Sequence, residues 1–153
     1  MSLNLFNYDD PRADVVGAEG RILSDLTDAE WTNFLALMER RLFPKDTQIL
    51  TAGERDRTLY LIASGAVEVA LDSPTGRKRL ATIGEGSVFG EMSFFDGAPR
   101  SAHVFAQTEV EVLALHQDRF AQLAAWHPRI AQKLLMDLGR VLSLRIRRMN
   151  LSA

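Results

Sequence analysis

Residues 89–102, FGEMSFFDGAPRSA, set one carboxylate, Glu91, and one guanidinium, Arg100, nine positions apart around a short apolar turn. Gly90 allows the backbone to approach a ligand closely, and a helix opening at Glu91 would aim its free N–H groups and positive dipole end at an anion. Arg100 contributes a permanent charge and a fork of donors matched to two oxygens of a phosphate. Ser101 adds a hydroxyl donor and Ala102 a backbone N–H. Glu91, which only accepts when ionised, suits a sugar hydroxyl beside that phosphate better than the phosphate itself. A single ligand carrying both groups satisfies the stretch.

On either side of this turn, between Thr47 and His116, the chain runs in short segments rich in Val, Ile, Leu, Tyr and Phe, punctuated by Gly53, Gly65, Gly76, Gly84, Gly86 and Gly97. Val67, Val69 and Leu71 alternate with Glu68, Ala70 and Asp72 as in a half-buried strand, and residues 73–76 read as a hairpin loop before a strand over 77–83. About eight strands at this spacing predict an antiparallel barrel or roll, with the 89–102 stretch as its helical interruption. Upstream, Thr27 and Glu30 form a capping-box signature, followed by Trp31, Phe34, Leu35, Met38 and Leu42 at helical spacing. This predicts a helix over about 28–41, stopped by Pro44. Downstream, a short helix is expected from Gln117 and a longer one from Pro128 to about Asn150. Ile130, Leu134, Leu138, Leu142 and Ile146 form its stripe, while Leu135, Val141, Leu144 and Met149 widen the apolar surface enough to suggest a second helix from a symmetry mate. Residues 1–20 read as a loosely ordered arm and 21–153 as one domain, with the roll over about 45–116 and the C-terminal helices over about 117–150.

The chain has 153 residues, 46% apolar and 25% charged, which is ordinary for a soluble globular domain with a single core. It has no cysteine, so disulfides and thiolate metal sites are excluded and a reducing, cytoplasmic setting is expected. No apolar run has the length of a membrane span. A formal net charge of −2 gives no basic excess for nucleic acid, so direct DNA binding is not expected. His103, His116 and His127 are isolated and form no metal-binding pattern, and no Gly-x-Ser-x-Gly elbow is present; neither a metal nor catalysis is expected.

The 89–102 stretch resembles the phosphate-binding cassette of the cyclic nucleotide-binding domain family, which includes catabolite-activator-type regulators, kinase regulatory subunits and nucleotide-gated channels. The resemblance extends to Gly53-Glu54, to Leu59-Tyr60-Leu61-Ile62 with Gly65 and Val67, and to Ile83-Gly84-Glu85-Gly86, and it covers roughly residues 26–150. It implies an antiparallel eight-stranded β-roll (a double-stranded β-helix, jelly-roll-like) with an N-terminal helix, a short cassette helix and a long C-terminal helix. It further implies that Glu91 binds the ribose 2′-hydroxyl and Arg100 the cyclic phosphate. The ligand-binding set it suggests is Phe89, Gly90, Glu91, Met92, Ser93, Arg100, Ser101, Ala102 and Arg145. Within this set Phe89 and Met92 pack under the cassette, and Arg145 reaches the purine from the last helix. Leu80, Ile83 and Val88 wall the purine by analogy.

The ligand implied is a 3′,5′-cyclic purine nucleotide, cAMP ahead of cGMP; Ser101 does not decide the base. The module would act as a regulatory sensor, signalling through its C-terminal helix to an effector domain or protein, with a homodimer formed through that helix. Only residues 151–153 follow Asn150, so no helix-turn-helix domain is expected. The alternative is a structural or dimerisation roll that binds no nucleotide or takes another anionic metabolite. For Arg140, Arg145, Arg147 and Arg148 together, the simpler reading is a solvated helix end favoured by the dipole.

Overall fold

The computed structural model describes residues 20–152. The arm expected over 1–20 lies outside them except for Gly20. The first helix, α1 (Asp28–Leu35), begins where the capping box directs it. The Thr27 hydroxyl accepts from the Glu30 N–H at 3.2 Å, and the Glu30 carboxylate accepts from the Thr27 N–H at 3.0 Å. Trp31 and Phe34 are its buried face. A cap of this kind is worth about 1 kcal/mol, so Thr27→Ala should lower the melting temperature by about 3 °C, as calorimetry would show.

Instead of running to residue 41, α1 ends at Leu35, and Glu39–Phe43 is the first strand, β1. The periodicity that suggested a longer helix came from Met38 and Leu42, yet Leu42 is 62% exposed. Backbone pairing of Glu39 to Phe43 with the strand Val110–Leu115 decides the matter, since a ladder across the sheet outweighs a weak local helical preference. The roll therefore begins at Glu39 rather than near residue 45, and Pro44 terminates a strand rather than a helix.

The remaining elements are β2 (Gln48–Leu50), β3 (Leu59–Ser64), β4 (Val67–Ser73), β5 (Gly76–Ile83), β6 (Val88–Phe89), α2 (Glu91–Asp96), β7 (His103–Ala106), β8 (Val110–Leu115), α3 (Gln117–Trp126) and α4 (Pro128–Ser152). These strands form two four-stranded antiparallel sheets, ordered β1-β8-β3-β6 and β2-β7-β4-β5. The eight-stranded antiparallel roll with flanking helices is the expected fold class.

Two apolar clusters define three layers. Tyr60, Ile62, Phe89, Val112 and Ala114 face Leu50, Val67, Ile83 and Val104 between the sheets. Leu59, Leu61, Leu113 and Leu115, on the opposite face of the first sheet, pack against Trp31, Phe34, Phe94, Leu123, Leu134 and Leu138 of the helices. β3 and β8 are thus covered on both faces, and Leu59 to Ala63 and Val112 to Leu115 are continuous buried runs. β4 departs from its sequence pattern. A register shift between Val69 and Ala70 reverses the phase, burying Ala70 and exposing Leu71.

α4 packs on the roll through Ile130, Leu134, Leu138 and Val141. The four-residue stripe leaves the roll after Leu138 because each step of four overshoots a turn by about 40°; Ile146 is consequently 57% exposed. The segment before α1 straps the first half of α4 to the sheets. Ile22 and Leu23 are fully buried, the Ile22 N–H donates to the Gly86 carbonyl at 2.9 Å, and the Leu23 N–H donates to Asp137 Oδ2 at 2.8 Å. Lys133 pairs with Asp25, Arg129 with Glu30, and Arg140 donates to the Arg21 carbonyl. These contacts recur along one face of α4 as far as residue 140.

Candidate functional site

Gly90 opens α2 at φ 80°, a left-handed conformation that suits glycine. A Cβ there would lie 2.8 Å from Arg100 Nη1 and 3.0 Å from the Thr58 carbonyl oxygen, so the missing side chain is what lets the arginine pass beneath the turn.

Arg100 is buried, 5% exposed, and rigidly held. Nη1 donates to the Gly90 carbonyl at 3.0 Å and Nη2 to the Thr58 carbonyl at 2.8 Å, while Asp56 Oδ2 lies 3.3 Å from Nη2. Its backbone is tied in as well, the N–H donating to the Glu54 carbonyl and the carbonyl accepting from the Gly53 N–H. That pairing is the structural use of Gly53-Glu54. Arg100 Nε is buried without a hydrogen-bond partner, a donor left free in a site where donors are ordinarily satisfied. The Tyr60 ring lies 6.0 Å from the guanidinium and stacks on Phe89 at 4.9 Å with a 6° interplanar angle.

Glu91 lies at the first position of α2, 8% exposed, and its partner comes from α4. Arg145 Nη1 is 2.8 Å from Glu91 Oε1, and Arg145 Nη2 donates to the Val88 carbonyl at 2.6 Å and to Ser87 Oγ at 3.3 Å. The long helix thus reaches the cassette through a charged contact on the carboxylate itself.

The other expected residues divide between core and surface. Phe89 is buried beneath the cassette, and Ser93 is buried. Met92 is not packed under the cassette. It is 52% exposed, because the second position of α2 points away from the sheets, and its Sδ accepts from Ser101 Oγ at 3.8 Å. Ser101 is exposed and Ala102 half-buried beside it. Ile83 and Val88 are buried, whereas Leu80 projects from β5, an edge strand. Among the described residues no group of three His, Asp or Glu side chains could hold a metal ion, and no helix is long and apolar enough to cross a membrane.

Two residues absent from the sequence reading complete the site. Asp56 Oδ1 accepts from the Thr58 N–H at 3.1 Å and from the Thr58 hydroxyl at 2.8 Å, an Asx-type turn that points Oδ2 at Arg100. Burial pushes the Asp56 carboxyl upward, but the Thr58 hydrogen bonds and the Arg100 charge outweigh it and hold it below the usual carboxylate range. Its only signal in sequence is an Asp two residues before a Thr, which many surface turns share.

Several known proteins resemble this chain in sequence and fold. The family described as "Cyclic nucleotide-binding domain" matches residues 40–127. The CRP-like cAMP-activated global transcriptional regulator of Mycobacterium tuberculosis is 38% identical over 71% of this chain and 47% of its own length. Glutaminase 2 of Bradyrhizobium diazoefficiens is 33% identical over 91% of this chain but only 22% of the relative. The crystal structure of a cyclic nucleotide-binding domain from Methylobacillus flagellatus superposes with a TM-score of 0.75 at 34% identity, covering 84% of this chain and 72% of that one. The chain spans about half or less of the length of these curated relatives. It belongs to the cyclic nucleotide-binding domain family.

Proposed function

We propose that this domain is a sensor for a 3′,5′-cyclic purine nucleotide, cAMP ahead of cGMP, and that it signals through movement of the far half of α4. The observation that carries this reading is the 2.8 Å pair between Glu91 and Arg145. A ribose hydroxyl that engages Glu91 competes with a residue of α4, so ligand and helix position are coupled through one carboxylate. Such a contact differs between the free and bound states, which is the requirement for a ligand to shift a conformational equilibrium. The strap along residues 129–140 confines the movement to the helix beyond it.

In this reading Arg100 receives the phosphate, with its free Nε–H available for an added hydrogen bond. Gly90, Ser93, Ser101 and Ala102 shape the cradle, Phe89 supports it, and Met92 and the released Arg145 lie near the sugar and base. The exposed Leu135, Ile146 and Met149 of α4 are the proposed contact with a second copy or an effector. No catalytic residue, metal or direct DNA contact is assigned to the domain, and its proposed compartment is the cytoplasm.

One observation favours a second reading, a roll that binds no nucleotide: Glu91 and two arms of Arg100 already have partners within the chain. Isothermal titration with cAMP and cGMP separates the two readings. Saturable binding is expected, and Glu91→Ala should weaken it about tenfold or more, since a hydrogen bond to a charged group is worth about 1.5–3 kcal/mol. Folded protein that binds neither nucleotide would establish the second reading.

A further inference from the structure

A chain of polar contacts leaves the cassette arginine and ends on a histidine at the root of the C-terminal helices. Arg100 faces Asp56 Oδ2 at 3.3 Å, Asp56 Oδ1 accepts from the Thr58 hydroxyl at 2.8 Å, and Thr58 Oγ1 lies 2.8 Å from His116 Nδ1. On its far side, His116 Nε2 is 3.7 Å from Glu39 Oε2. His116 is the residue that caps α3, where the last strand hands over to the helices.

Thr58 is fully buried and has one hydroxyl proton, which it can give to Asp56 or to His116 but not to both. With His116 protonated there is no conflict. Nδ1–H donates to Thr58, the hydroxyl is committed to Asp56, and Nε2–H faces the Glu39 carboxylate. With His116 neutral, either Nδ1 competes with Asp56 for the hydroxyl proton, or Nδ1 keeps its proton and turns an Nε2 lone pair toward a carboxylate.

The other charged groups around the ring are arranged to match. Glu39 is shared with Arg41, whose Nε and Nη2 each donate to it at 3.1 Å, and Arg41 Nη1 donates to the Tyr60 hydroxyl at 3.3 Å. His116 is 43% exposed, so protons reach it freely. In the free protein Arg100 and Asp56 cancel, and an incoming phosphate leaves this corner with one uncompensated negative charge.

We propose that His116 is a positioning residue for Arg100, acting through Thr58 and Asp56, so that binding of an anionic ligand at the cassette takes up a proton at His116. This rests on the cyclic-nucleotide reading for the ligand but not for the relay. By reciprocity, protonation of His116 strengthens ligand binding by the same factor that ligand binding favours protonation. Histidine changes charge between about pH 5 and pH 8, whereas a cyclic phosphodiester keeps its single charge throughout.

The test is titration of cAMP across that range, in buffers of different ionisation enthalpy so that proton uptake is read directly. Affinity should tighten about fivefold from pH 8 to pH 5.5, with net proton uptake on binding. His116→Gln, which holds a donor in place without a charge, should flatten the profile. Thr58→Val, which cuts the relay while keeping the carbonyl that Arg100 uses, should flatten it too. An unchanged slope in His116→Gln would overturn the proposal and assign the pH dependence to another group.

If cAMP binds at no pH, the functional reading fails on its own, and the relay is decided without ligand. The His116 ring signals, followed by NMR against pH, should titrate at lower pH in Asp56→Asn than in the parent protein. Identical titration curves in the parent, Asp56→Asn and Thr58→Val would remove the relay.

Discussion

Arg100→Ala is expected to weaken cyclic nucleotide binding by about a hundredfold or more and to destabilise the fold at the same time. The binding loss follows from the loss of a forked, charge-assisted contact, each hydrogen bond to a charged group being worth about 1.5–3 kcal/mol. The stability loss has a different origin. The buried Thr58 carbonyl would lose the donor that Arg100 supplies, the half-buried Gly90 carbonyl would keep only the Phe94 N–H at 3.3 Å, and the exposed Asp56 would lose its counter-ion. A buried group left unsatisfied costs about 1–3 kcal/mol, so a loss of about 2 kcal/mol, mostly from the Thr58 carbonyl, is expected in urea unfolding. Arg100→Lys should recover part of the binding, because the charge survives, but little of the stability, because a single ammonium cannot span both carbonyls. Equal loss in the two variants would mean that fork geometry, not charge, dominates. Full affinity in Arg100→Ala would show that the phosphate sits elsewhere.

Gly90→Ala is the second large effect, and it works by a different route. The backbone at φ 80° costs a non-glycine residue about 1–2 kcal/mol, and the new methyl would sit 2.8 Å from Arg100 Nη1 and 3.0 Å from the Thr58 carbonyl. Arg100 must then yield, so nucleotide binding should fall at least tenfold along with a stability loss above 2 kcal/mol. Gly53→Ala supplies the comparison. It has a similar φ of 90° but nothing within 4 Å of the added carbon, so it should show the conformational cost alone. If the two substitutions proved equal in both measurements, the close approach of Arg100 beneath the turn would have no energetic role.

The legible and illegible parts of this domain divide by the range of the interaction. Thr27 and Glu30 act on each other within one turn of helix, so the start of α1 could be read directly. Its end could not, because Glu39 to Phe43 answer to β8, some seventy residues away in sequence. The alternation in β4 misleads for a related reason: a register shift at Val69 and Ala70 has no residue signature, and one inserted position exchanges the faces of everything after it. In the site, Glu91 and Arg100 stood out because both lie within one short, glycine-bounded stretch. Asp56 and Thr58 did not, although they hold the arginine, because their role depends on β3 lying beside the cassette. The apolar side chain of Met92 suits a core position, but the direction of the first turn of α2 carries it outward.

What the amino-acid sequence determined by itself was the family, the roll and the pair of opposite charges around the cassette, since each rests on local patterns of turn glycines, alternating apolar residues and closely spaced functional groups. What only the tertiary structure decided was how those charges are employed. It turned Arg145 from a residue of an arginine-rich helix end into the partner of Glu91, and it joined Arg100 through Asp56 and Thr58 to His116. Charge pairing and proton sharing depend on distances of a few ångströms between residues far apart in the chain, and such distances exist only once the layers have packed.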